Sequence, residues 1–204
     1  MKVKHMRIAI DIDSTMNQAY HYDYIHGMEI CKEFNHPFIY KGYKCSVKEQ
    51  FQMGDKLYNE YMRRYFPWNV RENKLLPICS ETIRMYQMYH EIFIMTARDP
   101  EYDTPVQPYK GPQMVKDTYE WLKKNNILVP KENILFGVKE KGVKCKELGI
   151  DVLIDDDPKN ILNAIENGIN VCMMVYPYNQ HLIGTSPYIY PLEYGWVSLH
   201  GHCV

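Results

Sequence analysis

The sequence predicts an α/β protein: a Rossmann-like parallel sheet core with a small helical cap inserted after the first strand. Three observations carry this. Apolar runs at residues 7–10, 92–95 and 152–154 each stop at a hydroxyl or carboxylate cluster, as buried strands do where a sheet opens into a reactive edge. From Ile92 onward strand-type and helix-type segments alternate, which favours parallel strands covered by helices. Between Asp13 and Ile92 the apolar alternation is lost for about 75 residues, too long for a bare loop. The core is therefore assigned to residues 1–18 and 80–204, and the cap to residues 19–79.

Taken in order, residues 7–10 form the first strand, and Ser14-Thr15 opens a polar turn after it. Residues 22–34 carry apolar side chains at roughly helical spacing. Ser46-Val47-Lys48-Glu49 is a capping box. Behind it Val47, Phe51, Tyr58, Tyr61, Met62 and Tyr65 form one stripe, predicting a single helix that Pro67 ends. Ser80 is expected to cap a helix through Tyr89, which feeds the 92–95 strand. Pro112, at a first-turn position, starts another helix that turns Val115, Tyr119 and Leu122 toward the core. A short strand at 133–137 and a helix at 140–148 follow, with Gly149 as the stop. The strand at 152–154 leads to a helix from Pro158 to Glu166, capped by Asp157, and then to a strand at 170–174. Beyond Tyr176 the prolines and tyrosines predict an irregular strap across the core.

Bulk properties bound the function classes. At 204 residues the length suits one domain with an insertion, and 46% apolar with 24% charged residues is ordinary for a globular chain. A net charge of -1 gives no support to binding nucleic acid polymers or anionic membranes. No apolar stretch approaches the ~20 residues that span a bilayer. The basic start leads into a strand too short for a signal-peptide core. Six scattered cysteines without a CxxC pair then read as reduced thiols, and the expected location is cytoplasmic. The terminal His200-Gly201-His202-Cys203 reads as a solvated tail rather than a soft-metal site. Oligomeric state is left open.

The chemistry lies in the strand ends. Asp11 offers a carboxylate that can act as a nucleophile, and Asp13 suits general acid/base work. Asp155 and Asp156, brought beside Asp11 by neighbouring strands, would form a hard oxygen site suited to Mg2+, with the Asp13 backbone carbonyl completing it. Thr96 and the N–H of Ala97 can donate to an anionic group. A lysine beside these acids would balance their charge, and Lys139, Lys141 and Lys144 compete for that place. Arg98 reads as a solvated charge at a strand exit. No GxxxxGK[ST] loop exists to hold a triphosphate, which speaks against a nucleotide kinase.

The order of DIDST from Asp11, MTAR ending at Arg98, a lysine near Lys141 and IDDDP from Ile154 resembles the haloacid dehalogenase superfamily of phosphohydrolases. Within it, MTAR, IDVLIDDDPKN from Ile150 and Pro177-Tyr178-Asn179 are most similar to the cytosolic-type deoxyribonucleotidases and their bacterial relatives. The resemblance implies Asp11 as nucleophile and Asp13 as acid/base. It further implies Thr96, Ala97 and Lys141 at the phosphate, and Asp156, with Asp155 beside it, on magnesium. An acid at position 13 implies phosphate ester hydrolysis, since pumps and dehalogenases of the superfamily lack it there. The implied substrate is a small phosphorylated molecule, a nucleoside monophosphate by preference. A sugar phosphate is the alternative, and a catalytically silent binding protein a third reading. Tyr20, Tyr22, Phe51, Tyr61 and Trp68 are the cap's candidates for stacking on a base, each able instead to pack the cap's own core.

Overall fold

A computed structural model describes residues 4–37, 39–103 and 108–199; the His200–Cys203 tail singled out above lies outside them. Six strands form one sheet: β1 (Arg7–Ile10), β2 (Glu91–Met95), β3 (Ile134–Leu135), β4 (Val152–Asp155), β5 (Asn170–Met174) and β6 (Ile189–Leu192). Their order is β3-β2-β1-β4-β5-β6 and every pairing is parallel. Ile8 sits in register with Ile92 on one side and Val152 on the other. The strand order reverses at β1, so the crevice beyond the ends of β1 and β4 is the switch point where such sheets bind ligands.

Side chains alternate along each strand, giving the sheet two apolar faces. One face carries Ile8, Ile10, Ile92, Ile94 and Ile154 and packs on α4 (Cys79–Gln87) and α5 (Gly111–Lys124) through Ile83, Tyr86, Trp121 and Leu122. The other carries Ala9, Phe93, Met95, Leu153 and Val171. It packs on α6 (Lys141–Leu148) and α7 (Pro158–Glu166) through Cys145, Ile161 and Ala164. On α5 the buried face is centred on Met114, Thr118, Trp121 and Leu122, with the expected Val115 and Tyr119 at its margin. Helices α6 and α7 cross so closely that a Cβ on Gly142 would lie 2.2 Å from the Asn163 carbonyl oxygen. Gly142→Ala is therefore expected to cost about 2 kcal/mol of stability, read as a lower urea midpoint.

Between Asn17 and Leu75 the chain builds a helical module: α1 (Ala19–Glu33), α2 (Val47–Gln50) and α3 (Asp55–Glu72). It has its own core of Ile30, Cys31, Val47, Phe51, Met53 and Tyr61. The two stems lie side by side: Asn17 bridges Leu75, Gln18 N–H donates to the Lys74 carbonyl at 2.9 Å, and Leu76 N–H to that of Met16 at 2.8 Å.

Four sequence expectations are corrected. The stripe starting at Val47 is split over two helices, because Gln52 takes a left-handed φ of 51° and Gly54 is extended at the start of α3. Pro67 does not end α3, which runs through it to Glu72. Burial of Val70 with Tyr109 and Met114, and of Phe66 beside them, offsets the lost backbone bond. Ser80 does not cap α4; the cap position is Ile78, in left-handed conformation with φ 55°. Finally, the strap beyond Tyr176 is not wholly irregular, since it contributes β6 as a parallel edge strand. Ser46 caps α2 as expected, Glu49 N–H donating to its Oγ at 3.3 Å, and Gly149 closes α6 in the left-handed region. Among the described residues no helix is long and apolar enough to cross a membrane.

Candidate active site

At the switch point, β1 and β4 deliver their acids into one crevice. Asp11 N–H donates to the Ile154 carbonyl at 3.0 Å, which extends the ladder by one residue and sets Asp11 beside Asp155. Asp11, Asp155 and Asp156 each bring an oxygen within 4.8 Å of the others, and all three are buried. A cavity of about 240 Å³ opens onto this cluster, bordered also by Asp13, Thr96, Ala97, Arg98 and Lys141. Three buried carboxylates at this separation repel unless positive charge enters.

Part of that charge is Lys141, which begins α6. It is 1% exposed, bonds Asp155 at 2.7 Å and also bonds Asp11. Lys139 instead meets Asp99 at 3.9 Å and Lys144 meets Glu147 at 3.0 Å, both on the surface. Of the three competing lysines, Lys141 alone borders the cavity. Asp155 is further held by the Asp157 N–H at 2.9 Å and by Asn160 at 3.2 Å from each oxygen. Asp156 has neutral donors only: Thr15 Oγ1 at 2.8 Å on one oxygen and the Tyr178 hydroxyl on the other.

This asymmetry governs the ionisation. Burial pushes Asp11 up to about 7, against the pull of Lys141 and with help from Asp155. Burial likewise drives Asp156 well above the carboxylate range, reinforced by Asp155 and Asp11, and its two hydroxyl donors do not compensate. The cluster is thus short of one cationic neighbour, and the shortfall falls on Asp11 and Asp156. Buried carboxylate oxygens with a positive-charge deficit suit a hard divalent cation.

Asp13 points elsewhere. Both its oxygens accept from Arg98, at 2.7 and 2.9 Å, and Asn17 adds a third bond at 3.0 Å. Burial would raise its pKa, but the Arg98 guanidinium outweighs that and holds it below the usual range. The expectation that Arg98 is a solvated charge is therefore corrected: it is 5% exposed and also donates to Thr118 at 2.9 Å. A carboxylate at the end of one strand facing an arginine at the end of the next gives the physical reason. Thr96, 1% exposed, accepts from the Arg98 N–H at 3.2 Å, so its hydroxyl proton can turn to the cavity. Asp157 caps α7, accepting from Lys159 N–H at 2.8 Å.

The C-terminal segment fixes the loop after β1. Tyr176 donates to the Ser14 carbonyl and Trp196 to that of Thr15, each at 2.8 Å, across a Ser14 held at φ 61°. Asn179 bonds the carbonyls of Asp156 at 2.8 Å and Met174 at 2.7 Å. Reasoning from the sequence missed Thr15, Asn160 and Tyr178 as partners of the acids. Each nevertheless lay inside a motif already quoted, Thr15 in DIDST, Asn160 in IDVLIDDDPKN and Tyr178 in Pro177-Tyr178-Asn179, without being assigned to an acid.

A second cavity of about 240 Å³ lies under α3 and shares Asp13, Ala19 and Asp23 with the first. Of the five aromatic candidates only Tyr61 borders it. Phe51 is buried in the cap core, Tyr22 and Trp68 pack on each other with ring centres 4.8 Å apart, and Tyr20 packs on Tyr176 at 5.0 Å. Burial pushes Asp23 up to about 6, although Tyr61 and Asn69 donate to it.

Comparison with known proteins bears on this arrangement. Residues 5–187 match the model of the family described as 5' nucleotidase, deoxy (pyrimidine), cytosolic type C protein. Among solved structures, a haloacid dehalogenase-like family hydrolase from Streptococcus pneumoniae superposes with a TM-score of 0.65 at 14% identity, over 93% of this chain and 94% of that one. A predicted phosphoglycolate phosphatase from Haemophilus somnus superposes with a TM-score of 0.59 at 15% identity, over 95% and 96%. No functionally curated protein sequence matches significantly.

Proposed function

The chain belongs to the family of cytosolic type C 5' nucleotidases described for deoxy pyrimidine substrates, with the haloacid dehalogenase-like fold, and is a phosphatase; from that premise we propose that it hydrolyses nucleoside monophosphates. The observation that carries the reading is the meeting of Asp11, Lys141, Asp155 and Asp156 in one cluster, of which Asp11, Lys141 and Asp156 line a single cavity. Asp11 is the nucleophile: its oxygen bonds phosphorus as the ester oxygen leaves, forming an aspartyl-phosphate that water then cleaves. Lys141 balances charge between Asp11 and the phosphoryl oxygens, and Thr96 with the Ala97 N–H donates to them. Asp13, kept ionised by Arg98, is set to take a proton from the attacking water. To donate one to the leaving oxygen it first takes a proton from solvent, which a phosphate dianion favours by competing for Arg98 and raising the Asp13 proton affinity.

Asp11, Asp156 and Asp155 would hold magnesium, with Asp156 the direct ligand because it lacks a cationic partner of its own. When bound, the ion supplies positive charge that screens the carboxylate nucleophile from a phosphate dianion. Cys31, Cys45, Cys79 and Cys145 are free thiols, which fits a cytoplasmic setting.

Turnover of a panel of nucleoside monophosphates and sugar phosphates with magnesium tests the substrate. Nucleotides are expected to lead, and uniformly poor nucleotide turnover would remove the proposed preference. Magnesium itself is expected to raise the unfolding midpoint by about 5 °C when well above its Kd. The gain should be larger at pH 8 than at pH 5.5, because protons compete for Asp11 below about 7. A shift independent of pH would place the ion elsewhere.

A further inference from the structure

The second cavity has an unusual lining for a space so close to a phosphate site. Its walls are largely apolar and aromatic, including Tyr58, Met62, Phe66 and Val70, yet two carboxylates stand where it joins the first cavity: Asp13, which Arg98 engages, and Asp23. Asp23 projects from the first turns of α1, and no salt bridge reaches it among the described residues. Its hydrogen bonds come from the Tyr61 hydroxyl at 2.6 Å and from Asn69 Nδ2 at 3.1 Å, and both fall on Oδ1. Asp23 is half-buried and a carboxylate accepts on both oxygens, so Oδ2 is the acceptor available to an occupant.

Resting on the phosphatase reading, we infer that Asp23 determines specificity for the leaving half of the substrate. It accepts a hydrogen bond from a hydroxyl or amino group of a neutral leaving half and disfavours leaving halves that carry a second negative charge. The geometry supplies both parts. A phosphate at Asp11 and Thr96 has its alcohol continue past Asp13, Ala19 and Asp23, the three residues shared with the second cavity. An occupant donor there makes a charge-assisted bond away from water, which is stronger than a neutral one. A carboxylate or second phosphate placed there meets Asp23 with no cation between them, and like charges in a poorly solvated space are strongly disfavoured. Asp23 touches neither the phosphoryl group nor the acid cluster in this scheme.

Steady-state kinetics of Asp23→Asn with magnesium test this on three esters: deoxyuridine monophosphate, phosphoglycolate, and phenyl phosphate, whose leaving half has no donor. The ratio of kcat/KM for deoxyuridine monophosphate to that for phenyl phosphate is expected to fall about 10- to 100-fold, mostly through KM. The ratio for phosphoglycolate to phenyl phosphate should rise. Asp23→Ser repeats the comparison in case asparagine disturbs the Tyr61 contact. Equal losses on all three esters would make Asp23 a purely structural residue and overturn the inference. A wild-type preference for phosphoglycolate would also overturn it while leaving the phosphatase reading intact. A wild-type protein inactive on all three would remove both.

Discussion

Asp11→Asn is expected to lower phosphatase activity by about 10⁴-fold or more on every substrate, because the amide cannot form the covalent intermediate. The fold should survive the change. The side chains are nearly the same size, and Asp11 is a buried carboxylate whose pKa already stands at about 7. Replacing it by a neutral amide relieves repulsion from Asp155 and Asp156, so thermal stability without magnesium should hold or rise. Circular dichroism melts beside a phosphate-release assay measure both. Residual activity within tenfold of the parent would exclude Asp11 as nucleophile.

Lys141→Met is expected to remove the cation from the centre of the cluster, with two consequences. Activity should fall by about 10²- to 10³-fold, the scale for losing one electrostatic contact to a developing charge. Stability at pH 8 should fall by about 3–5 kcal/mol, since Asp11 and Asp155 are left buried and unpaired. The pH dependence identifies the cause. Asp11 binds its proton more tightly folded than unfolded, so between its ordinary value near 3.8 and about 7 the folded state carries more protons. Stability from this group therefore falls as pH rises through that window. Without Lys141 the folded value moves higher still, so the variant's deficit should be largest at pH 8 and shrink toward pH 5. Urea titrations at the two pH values decide the matter, and an equal deficit at both would mean that lost packing, not charge, is responsible.

How much of this was legible beforehand depended on whether the determining contact was local. The strands at 7–10, 92–95 and 170–174 could be read because apolar β-type runs between polar breaks need little tertiary help. The helix from Pro158 carried its start signal in Asp157-Pro158, and the helix before Gly149 its stop. Pro67 was misread because its tolerance depends on α3 packing against α5, a contact between distant segments. β6 was missed because a proline-containing edge strand has almost no local signature. The acids of the site could be named from their places at strand ends. Arg98 could not be paired with Asp13, because only the register of β1 against β2 brings these two ends together. Thr15 and Tyr178 on Asp156 likewise reflect separations of 141 and 22 residues.

The paired stems of the helical module bear on how such a protein can diversify. Where the chain departs at Gln18 it is already bonded to Lys74, where it returns. The sheet therefore sees only a narrow doorway, whatever length or sequence lies beyond it. Residues that choose the alcohol can be exchanged in that annex with no change in the span the core must close. The phosphorus-handling groups meanwhile stay anchored to the strands, so selectivity and reactivity are free to drift at separate rates.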